Sequence, residues 1–536
     1  MNTNIRILFT AAVVFVCASC QDYNELSKNQ NVPTSAPPSL ILPGVIEHMN
    51  DQNAWTGKQG SMSAAQFFIS TYDYYGTNNY DQQPFTKAKD NFEYTAVLQN
   101  VVLMEAEARK GASTDLNPYS ALGKFFKAFY FNLMSQKLGD IPLSQALEGA
   151  TNTTPEYDKQ KDVYIQVLKW LDEANADLAS IIATGNPDCV GSYCKGISGD
   201  EFLGNSLTSW QKIVNSYTLR VLISLSKKEN DADLKIKEKF AAIVGDPTKY
   251  PVMESLDDNL QYKYNASYNN YPKNPTSQGR DAQRENIGSA FLNVTTALND
   301  PRTFIAATPA PNEIQSGKSF TDYTAYVGAP AGLSMSDLGN NAQGGKYSFI
   351  NALRYYADFA GSKAEPAIII GYPELCFNIA EGLNRNWATG DAEAWYIKGI
   401  KASMEHFGIV DGADITVGNN LSTVIYGTVM NISVTDYLNQ TSVQYQGGAD
   451  GLEQILTQKY IAFWQNSNWE AFFNQRRTGI PAFSTGVGNG NGNKIAVRWQ
   501  YPVAESSSNA KHYTDAVTRQ FGANNDDLNG VLWILQ

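Results

Sequence analysis

The sequence predicts a mostly α protein, and three observations carry that expectation. Apolar residues recur three and four apart along a succession of stretches, which is the period of a helix and not of a strand. The breaks between these stretches are short and rich in Gly, Pro and Asn, the residues that stop helices. A long segment, residues 249–351, loses the periodicity and reads as loops and short strands set against the helices. The chain has 536 residues, 43% of them hydrophobic, enough to bury a large core.

Taken in order, the N-terminus comes first. Arg6 precedes an apolar run from Ile7 to Ala18, too short to span a bilayer as a mature helix. The run ends Cys17-Ala18-Ser19-Cys20 and is similar to a bacterial lipoprotein signal: residues 1–19 are expected to be removed and Cys20 to be lipidated. Acyl chains on Cys20 would anchor the chain to a membrane surface. Residues 20–45, with Pro33, Pro37 and Pro38, read as an extended tether. The remainder, 46–536, is expected to be one domain with loop-rich excursions at about 249–351 and 411–446.

Ser63–Phe85 is dense in Tyr, Asn and Gln. Tyr72, Tyr74, Tyr75 and Tyr80 surround Gly76-Thr-Asn-Asn79, where helical periodicity fails. Exposed rings beside amides suit sugars, because a ring stacks on a pyranose face while an amide bonds hydroxyls. Trp55 is a further candidate, and Gln261–Tyr271 repeats the pattern with Tyr264 and Tyr268. Helices are expected at Phe92–Lys110, Pro118–Leu138, Tyr164–Ile182, Trp210–Ser226 and Leu234–Val244, then at Pro373–Trp387 and Asp391–Phe407. Helical hairpins stacked side by side are the economical packing for such a series. Cys189 and Cys194 lie in a turn-rich loop and are predicted to form a disulfide. Cys376, inside an apolar helix, is predicted to be a buried free thiol.

Gly451–Phe483 is expected to form two packed helices. The first presents Leu452, Ile455, Leu456, Tyr460 and Phe463 on one face. The second carries Trp469, Phe472 and Phe473 and stops at Gly479 and Pro481. Arg476 and Arg477 at its end need acidic or carbonyl partners. They are expected to brace the scaffold, with Glu374, Glu381 or Glu505 as partners. The glycine-rich run Ser484–Asn493 lacks the lysine and the strand–loop–helix frame of a phosphate loop. Ile495–Tyr501 alternates like a strand.

The net charge of −12 argues against nucleic acid as a partner. Three widely spaced histidines, His48, His406 and His512, give little material for a metal site or a His-based triad. No metal or cofactor is expected. No zincin, nucleophile-elbow or dinucleotide motif occurs, so an enzyme is not expected. A glycosidase is the catalytic alternative, because a carboxylate dyad is a matter of three-dimensional spacing.

Several motifs in order resemble the SusD/RagB family of nutrient-binding outer-membrane lipoproteins. They are Lys127-Ala-Phe-Tyr with Leu138-Gly-Asp-Ile-Pro142, Pro155-Glu-Tyr-Asp158 with Leu171-Asp-Glu-Ala174, and Gly199-Asp-Glu-Phe-Leu-Gly204 with Trp210 to Arg220. Glu381 in Ile379-Ala-Glu-Gly382, Arg476-Arg477-Thr478-Gly479 with Pro481, and Arg498-Trp-Gln-Tyr-Pro502 with Glu505 complete the set. The acidic start after Cys20 is similar to the surface-export signal of Bacteroidetes lipoproteins. The resemblance implies a tetratricopeptide-like helix-pair scaffold supporting an irregular ligand-binding half. It also implies a lid-like association with a TonB-dependent transporter barrel. The ligands it implies are oligosaccharides, with oligopeptides as the alternative. A lid with little affinity of its own is a further possibility. No binding residue carries over from the motifs.

Overall fold

A computed structural model of the chain describes residues 35–51, 60–72, 85–87, 90–112, 114–185, 191–265, 267, 270–274, 276, 282–356, 365–419 and 426–536. The fold is mostly α, as expected. Helix α1 (Pro38–Asp51) begins inside the stretch read as a tether to residue 45. Leu42, Val45, Ile46 and Met49 recur at helical spacing and are buried. That burial overrides the prolines, of which Pro38 stands at the helix start and Pro43 lies within it.

Helices α2 (Gln99–Lys110), α3 (Pro118–Leu138), α4 (Gln160–Thr184), α5 (Leu207–Ser224) and α6 (Ile236–Gly245) follow. Each packs on the next, and α1 packs on α2. Their ends have local causes. Asn117 caps α3 by accepting the Ser120 N–H at 2.9 Å, with Pro118 at the first helical position. Gly185 closes α4 in the left-handed conformation, φ 61°. The broad apolar face of α3 (Leu122, Phe125, Phe126, Phe129, Leu133) lies wholly inside the core.

The segment 249–351 holds more helix than its composition suggested. Strand β1 (Phe68–Ser70) pairs antiparallel with β3 (Glu285–Ile287), with Phe68 opposite Ile287. Strand β2 (Leu260–Tyr262) pairs with β4 (Ala367–Ile370). After β3 come α7 (Ser289–Ala297) and the short helices Arg302–Ala306, Pro311–Gln315 and Met335–Gln343. Five to nine residues are too few to establish a 3.6-residue period by eye, so these helices rest on tertiary contacts.

Helices α8 (Tyr372–Asn384) and α9 (Ala392–His406) form the expected pair. The stretch 411–446, read as irregular, contains a hairpin of β5 (Asp414–Asn419) and β6 (Tyr426–Asn431). Then come α10 (Gly448–Ala462), α11 (Glu470–Thr478) and α12 (Ala510–Phe521). Helix α8 packs on α5, α9 and α10, so it joins the second helical group to the first. Ile495–Tyr501 is not a strand. Ala496, Arg498, Trp499 and Tyr501 are buried, and the segment meets the end of α3, where Trp499 N–H donates to the Lys137 carbonyl at 2.9 Å, with no sheet edge to pair with among the described residues.

Buried ion pairs lock the α8 seam. Arg477 forks onto Glu381 at 2.5 and 2.9 Å, as expected. The other partners differ from expectation. Glu374 belongs to Arg220 of α5, at 2.6 and 2.5 Å. Glu505 accepts from the Tyr157 hydroxyl at 2.6 Å. Arg476 meets no carboxylate among the described residues. It donates to the Val497 carbonyl at 2.8 Å and lies over the Phe473 ring at 4.8 Å. Burial pushes its guanidinium down to about 10. Cys376 is a buried free thiol, and burial pushes it up to about 12. No described helix is long and apolar enough to cross a membrane.

Candidate functional site

Helix α10 has two faces with different uses. Ile455, Leu456 and Tyr460 point into the core. Asp450, Glu453, Gln454, Thr457 and Gln458, also three and four apart, line a cavity of about 1090 Å³. The facing wall is α7. Ser289, Ala290, Asn293, Val294 and Ala297 share its cavity side, while Phe291, Leu292 and Thr295 are buried behind. The loop Thr441–Gln446 and the segment Pro481–Ser484 complete the enclosure. A cavity of this size suits a small or oligomeric ligand.

Each wall is fastened separately. Gln454 donates to the Gln444 carbonyl at 2.8 Å and accepts the Gln446 N–H at 2.9 Å, which ties the loop to α10. Gln66 holds Ser484 through a reciprocal pair of 2.9 Å bonds to its N–H and carbonyl. Gln475 donates to the Pro481 carbonyl at 3.2 Å. Gly328 approaches the start of α7 so closely that a Cβ there would stand 2.4 Å from Ser289 Cα.

Behind Gln458, which lines the cavity, lies a fully buried polar cluster. Arg302 donates to Asp300 through Nε at 2.9 Å and Nη2 at 2.5 Å, and to the Gln458 amide oxygen at 2.5 Å. Its Nη1 bonds Ser403 Oγ at 2.9 Å. The Gln458 amide nitrogen donates to the Tyr437 oxygen at 2.8 Å, and Tyr437 donates to Asp300 at 2.7 Å. Burial alone would weaken the Arg302 charge, but the adjacent Asp300 carboxylate holds it above its ordinary range. Burial also raises the Tyr437 and Tyr396 phenols, so both stay protonated donors. Tyr396 donates to the Val443 carbonyl at 2.9 Å, which joins the cluster to the loop wall. Gln458 is thus presented to the cavity in one fixed orientation.

The lining mixes hydroxyls (Ser289, Thr441, Ser442, Thr457), amides (Asn293, Gln446), apolar surface and one aromatic ring, Phe483, beside the buried Tyr396. This can hold a polar, hydroxyl-rich molecule by hydrogen bonds and shape. The Asp450 and Glu453 carboxylates are exposed and stand side by side on one helix face. A glycosidase needs its two carboxyls on either side of the scissile bond. No group of three or more His, Cys, Asp or Glu among the described residues could hold a metal ion.

Of the aromatic sequence candidates, the two that are described, Tyr72 and Tyr264, do not line this cavity. Tyr72 is 39% exposed, with the Arg284 guanidinium 4.9 Å from its ring centre. It lies beyond Ser70, at the opposite end of the β1–β3 pair from Ser289. Tyr264 packs between Tyr262 at 5.3 Å and Tyr271 at 5.2 Å. Cys194 is buried and disulfide-bonded. Trp55, Tyr74, Tyr75, Tyr80, Tyr268, Cys20 and Cys189 lie outside the described residues. Sequence reasoning missed the cavity because its α10 side is a polar helix face, which reads as solvated surface, and its α7 side is mostly apolar (Ala290, Val294, Ala297), which reads as core. On the cavity side of α7, Ser289, Ala290 and Ala297 are small, which lets a ligand approach the backbone.

The family model described as SusD-like, starch-binding and associating with the outer membrane matches residues 29–502. Solved structures share the fold. A SusD homologue from Bacteroides fragilis is 29% identical with a TM-score of 0.76. A second from the same organism is 30% identical with a TM-score of 0.74. A Bacteroides vulgatus protein, whose name proposes an outer-membrane role in nutrient binding, is 29% identical with a TM-score of 0.75. Each match covers 94% of this chain and 100% of the other. No curated protein matches the sequence.

Proposed function

Since the chain belongs to the SusD-like family, we propose that it captures oligosaccharides at the cell surface and passes them to a TonB-dependent transporter of the outer membrane. The observation that carries the ligand class is the cavity between α7 and α10, with hydroxyl and amide groups on both walls and a rigid Gln458 floor. Its hydroxyls and amides can hydrogen-bond a hydroxyl-rich ligand. The Tyr/Asn segment around Tyr72, Tyr74, Tyr75 and Tyr80, with Trp55, Tyr264 and Tyr268, is a second contact surface for the same ligand by ring stacking. Lipidation at Cys20 would hold the protein at the membrane and leave transport to the barrel. A Cys189–Cys194 bridge would stiffen the loop between α4 and α5.

One observation favours a second reading. Phe483 and the buried Tyr396 are the only rings lining the cavity among the described residues, so it holds no continuous aromatic platform. A polar groove of that kind also suits an oligopeptide backbone.

Calorimetric titration of the soluble protein against glycan and peptide panels tests both. The expected result is micromolar binding of a glycan. That binding should weaken about tenfold or more in Asn293→Leu and Thr457→Val, each of which removes a hydrogen-bonding group from the lining. Glycan binding unchanged in both variants would remove the cavity from the mechanism. Unchanged binding after alanine at Tyr72, Tyr74, Tyr75 and Tyr80 together would remove the stacking surface. Co-purification with a membrane barrel from the native host tests the transporter partner.

A further inference from the structure

The break between α10 and α11 is polar yet buried. Gln465, Asn466, Ser467 and Asn468 all lie inside the protein, and Gln465, Ser467 and Asn468 hold left-handed backbone at φ 57°, 56° and 60°. Residues other than glycine keep that conformation only where their surroundings fix it. Protein groups fix one side of the break. Ser467 N–H donates to the Ile368 carbonyl at 2.8 Å, and its hydroxyl donates to Glu374 at 3.3 Å. The other side is different. The Gln465 side chain is 3% exposed, and neither its amide oxygen nor its amide nitrogen meets a hydrogen-bonding group of the described residues. Buried polar groups are almost always bonded, either to protein or to ordered water. Gln465 lines a small cavity together with Arg354, Tyr355, Glu365, His406 and Trp464. It is distinct from the proposed ligand site, since no residue lines both. About 10 Å³ of it is open to the centre of a water molecule, which is the room one water needs.

We infer that this cavity is a fixed water site, in which one water bonded to Gln465, Arg354 and His406 belongs permanently to the fold and holds the α10–α11 break. The wall selects water over an ion. Arg354 Nη2 pairs with Glu365 at 2.8 Å, so the two charges cancel. A halide would face the Glu365 carboxylate, and a metal cation would face the Arg354 guanidinium. Trp464 Nε1 is already satisfied by the Tyr355 hydroxyl at 2.9 Å. What remains is a mixed set of donors and acceptors. The Arg354 Nε–H is buried without a partner, and Gln465 offers amide N–H groups and a carbonyl oxygen. Burial lowers the His406 pKa, so its imidazole is neutral at pH 7 and carries one donor and one acceptor nitrogen. A small neutral molecule that both donates and accepts meets all of these, and a buried water makes about three such bonds. The three partners come from separate parts of the chain. Arg354 precedes β4, His406 ends α9 and Gln465 follows α10. A water bridging them ties the break to two other elements at the point where no protein group does so directly.

The test is a crystal structure of the soluble protein at a resolution that shows ordered water, from crystals prepared in sodium chloride and in sodium bromide, together with urea denaturation of wild type and Gln465→Met. The expected density is one water within hydrogen-bonding distance of the Gln465 amide and of Arg354 Nε or His406, with no anomalous bromide peak. Methionine matches glutamine in length and removes both amide partners. A hydrated amide loses its bonds in this variant, so the urea midpoint should fall and the water peak should vanish. A dry buried amide would instead be relieved of its desolvation cost, and the midpoint would rise. The sign of the shift therefore separates the two cases, and the wild-type density decides alone if Gln465→Met does not fold. A space without density, a water out of reach of Gln465, a bromide peak or a raised midpoint each overturns the inference. None of these outcomes bears on ligand binding in the larger cavity.

Discussion

Glu381 shows how much one buried carboxylate can carry. Burial by itself would raise its pKa, but the Arg477 guanidinium and the nearby Lys459 and Arg385 overcome this and hold it at about 2, against an ordinary 4.5. The folded-state value is depressed, so the stabilisation is present above about pH 4.5 and lost as pH falls towards 2. Glu381→Gln is therefore expected to be less stable than wild type at neutral pH and to lose less stability on acidification. Urea denaturation at pH 7 and pH 3 measures both. Removing Arg477 instead leaves Glu381 buried without its fork, at a cost of roughly 3–5 kcal/mol. The pairing itself was half legible. Two arginines beside aromatic residues and glutamates seven apart on α8 suggested partners, yet only the tertiary structure could assign Glu374 to Arg220 and leave Arg476 on a carbonyl and a ring.

Among the elements, the cavity walls depend on devices that can be removed singly. Gln454→Ala releases the loop Thr441–Gln446 from α10 by deleting its amide bonds. Global stability should change by no more than about 1 kcal/mol per bond. Hydrogen exchange of the loop amides should rise, and ligand affinity should fall. Gly328→Ala puts a methyl against the backbone of α7. Backbone cannot swing aside as a side chain can, so a loss of roughly 1–3 kcal/mol is expected, read as a lower urea midpoint. Asn117→Ala should cost about 1 kcal/mol through the α3 cap alone, with no effect on ligand binding. The start of α3 was readable in advance, since Pro118 suits the first helical position by local chemistry. The hairpin of β5 and β6 was not, because its strands lie within a polar stretch whose alternation is weak.

At the scale of the whole molecule, two helical groups meet through α8, and the Arg220–Glu374 pair is buried in that seam. Glu374→Ala should strongly lower the unfolding midpoint by stranding Arg220. A double replacement by Met at 220 and Leu at 374 should recover most of the loss, because apolar residues of similar volume need no charge partner. Thermal denaturation of the three variants decides this. A double variant no better than the single would mean that the pair contributes geometry that packing cannot replace.

The sequence by itself determined the helical series, its caps and breaks, the buried free thiol and the family. These follow from periodicity, capping chemistry and motif order, all of which are local or linear. The tertiary structure alone decided which charges pair across α8. It turned the supposed end of the tether into α1 and set α7, with Ser289 and Asn293 among small apolar residues, opposite a polar face of α10 across a cavity. A polar helix face has the same composition whether it meets water or a binding site. Only the position of the facing wall, nearly 160 residues away in the chain, distinguishes the two.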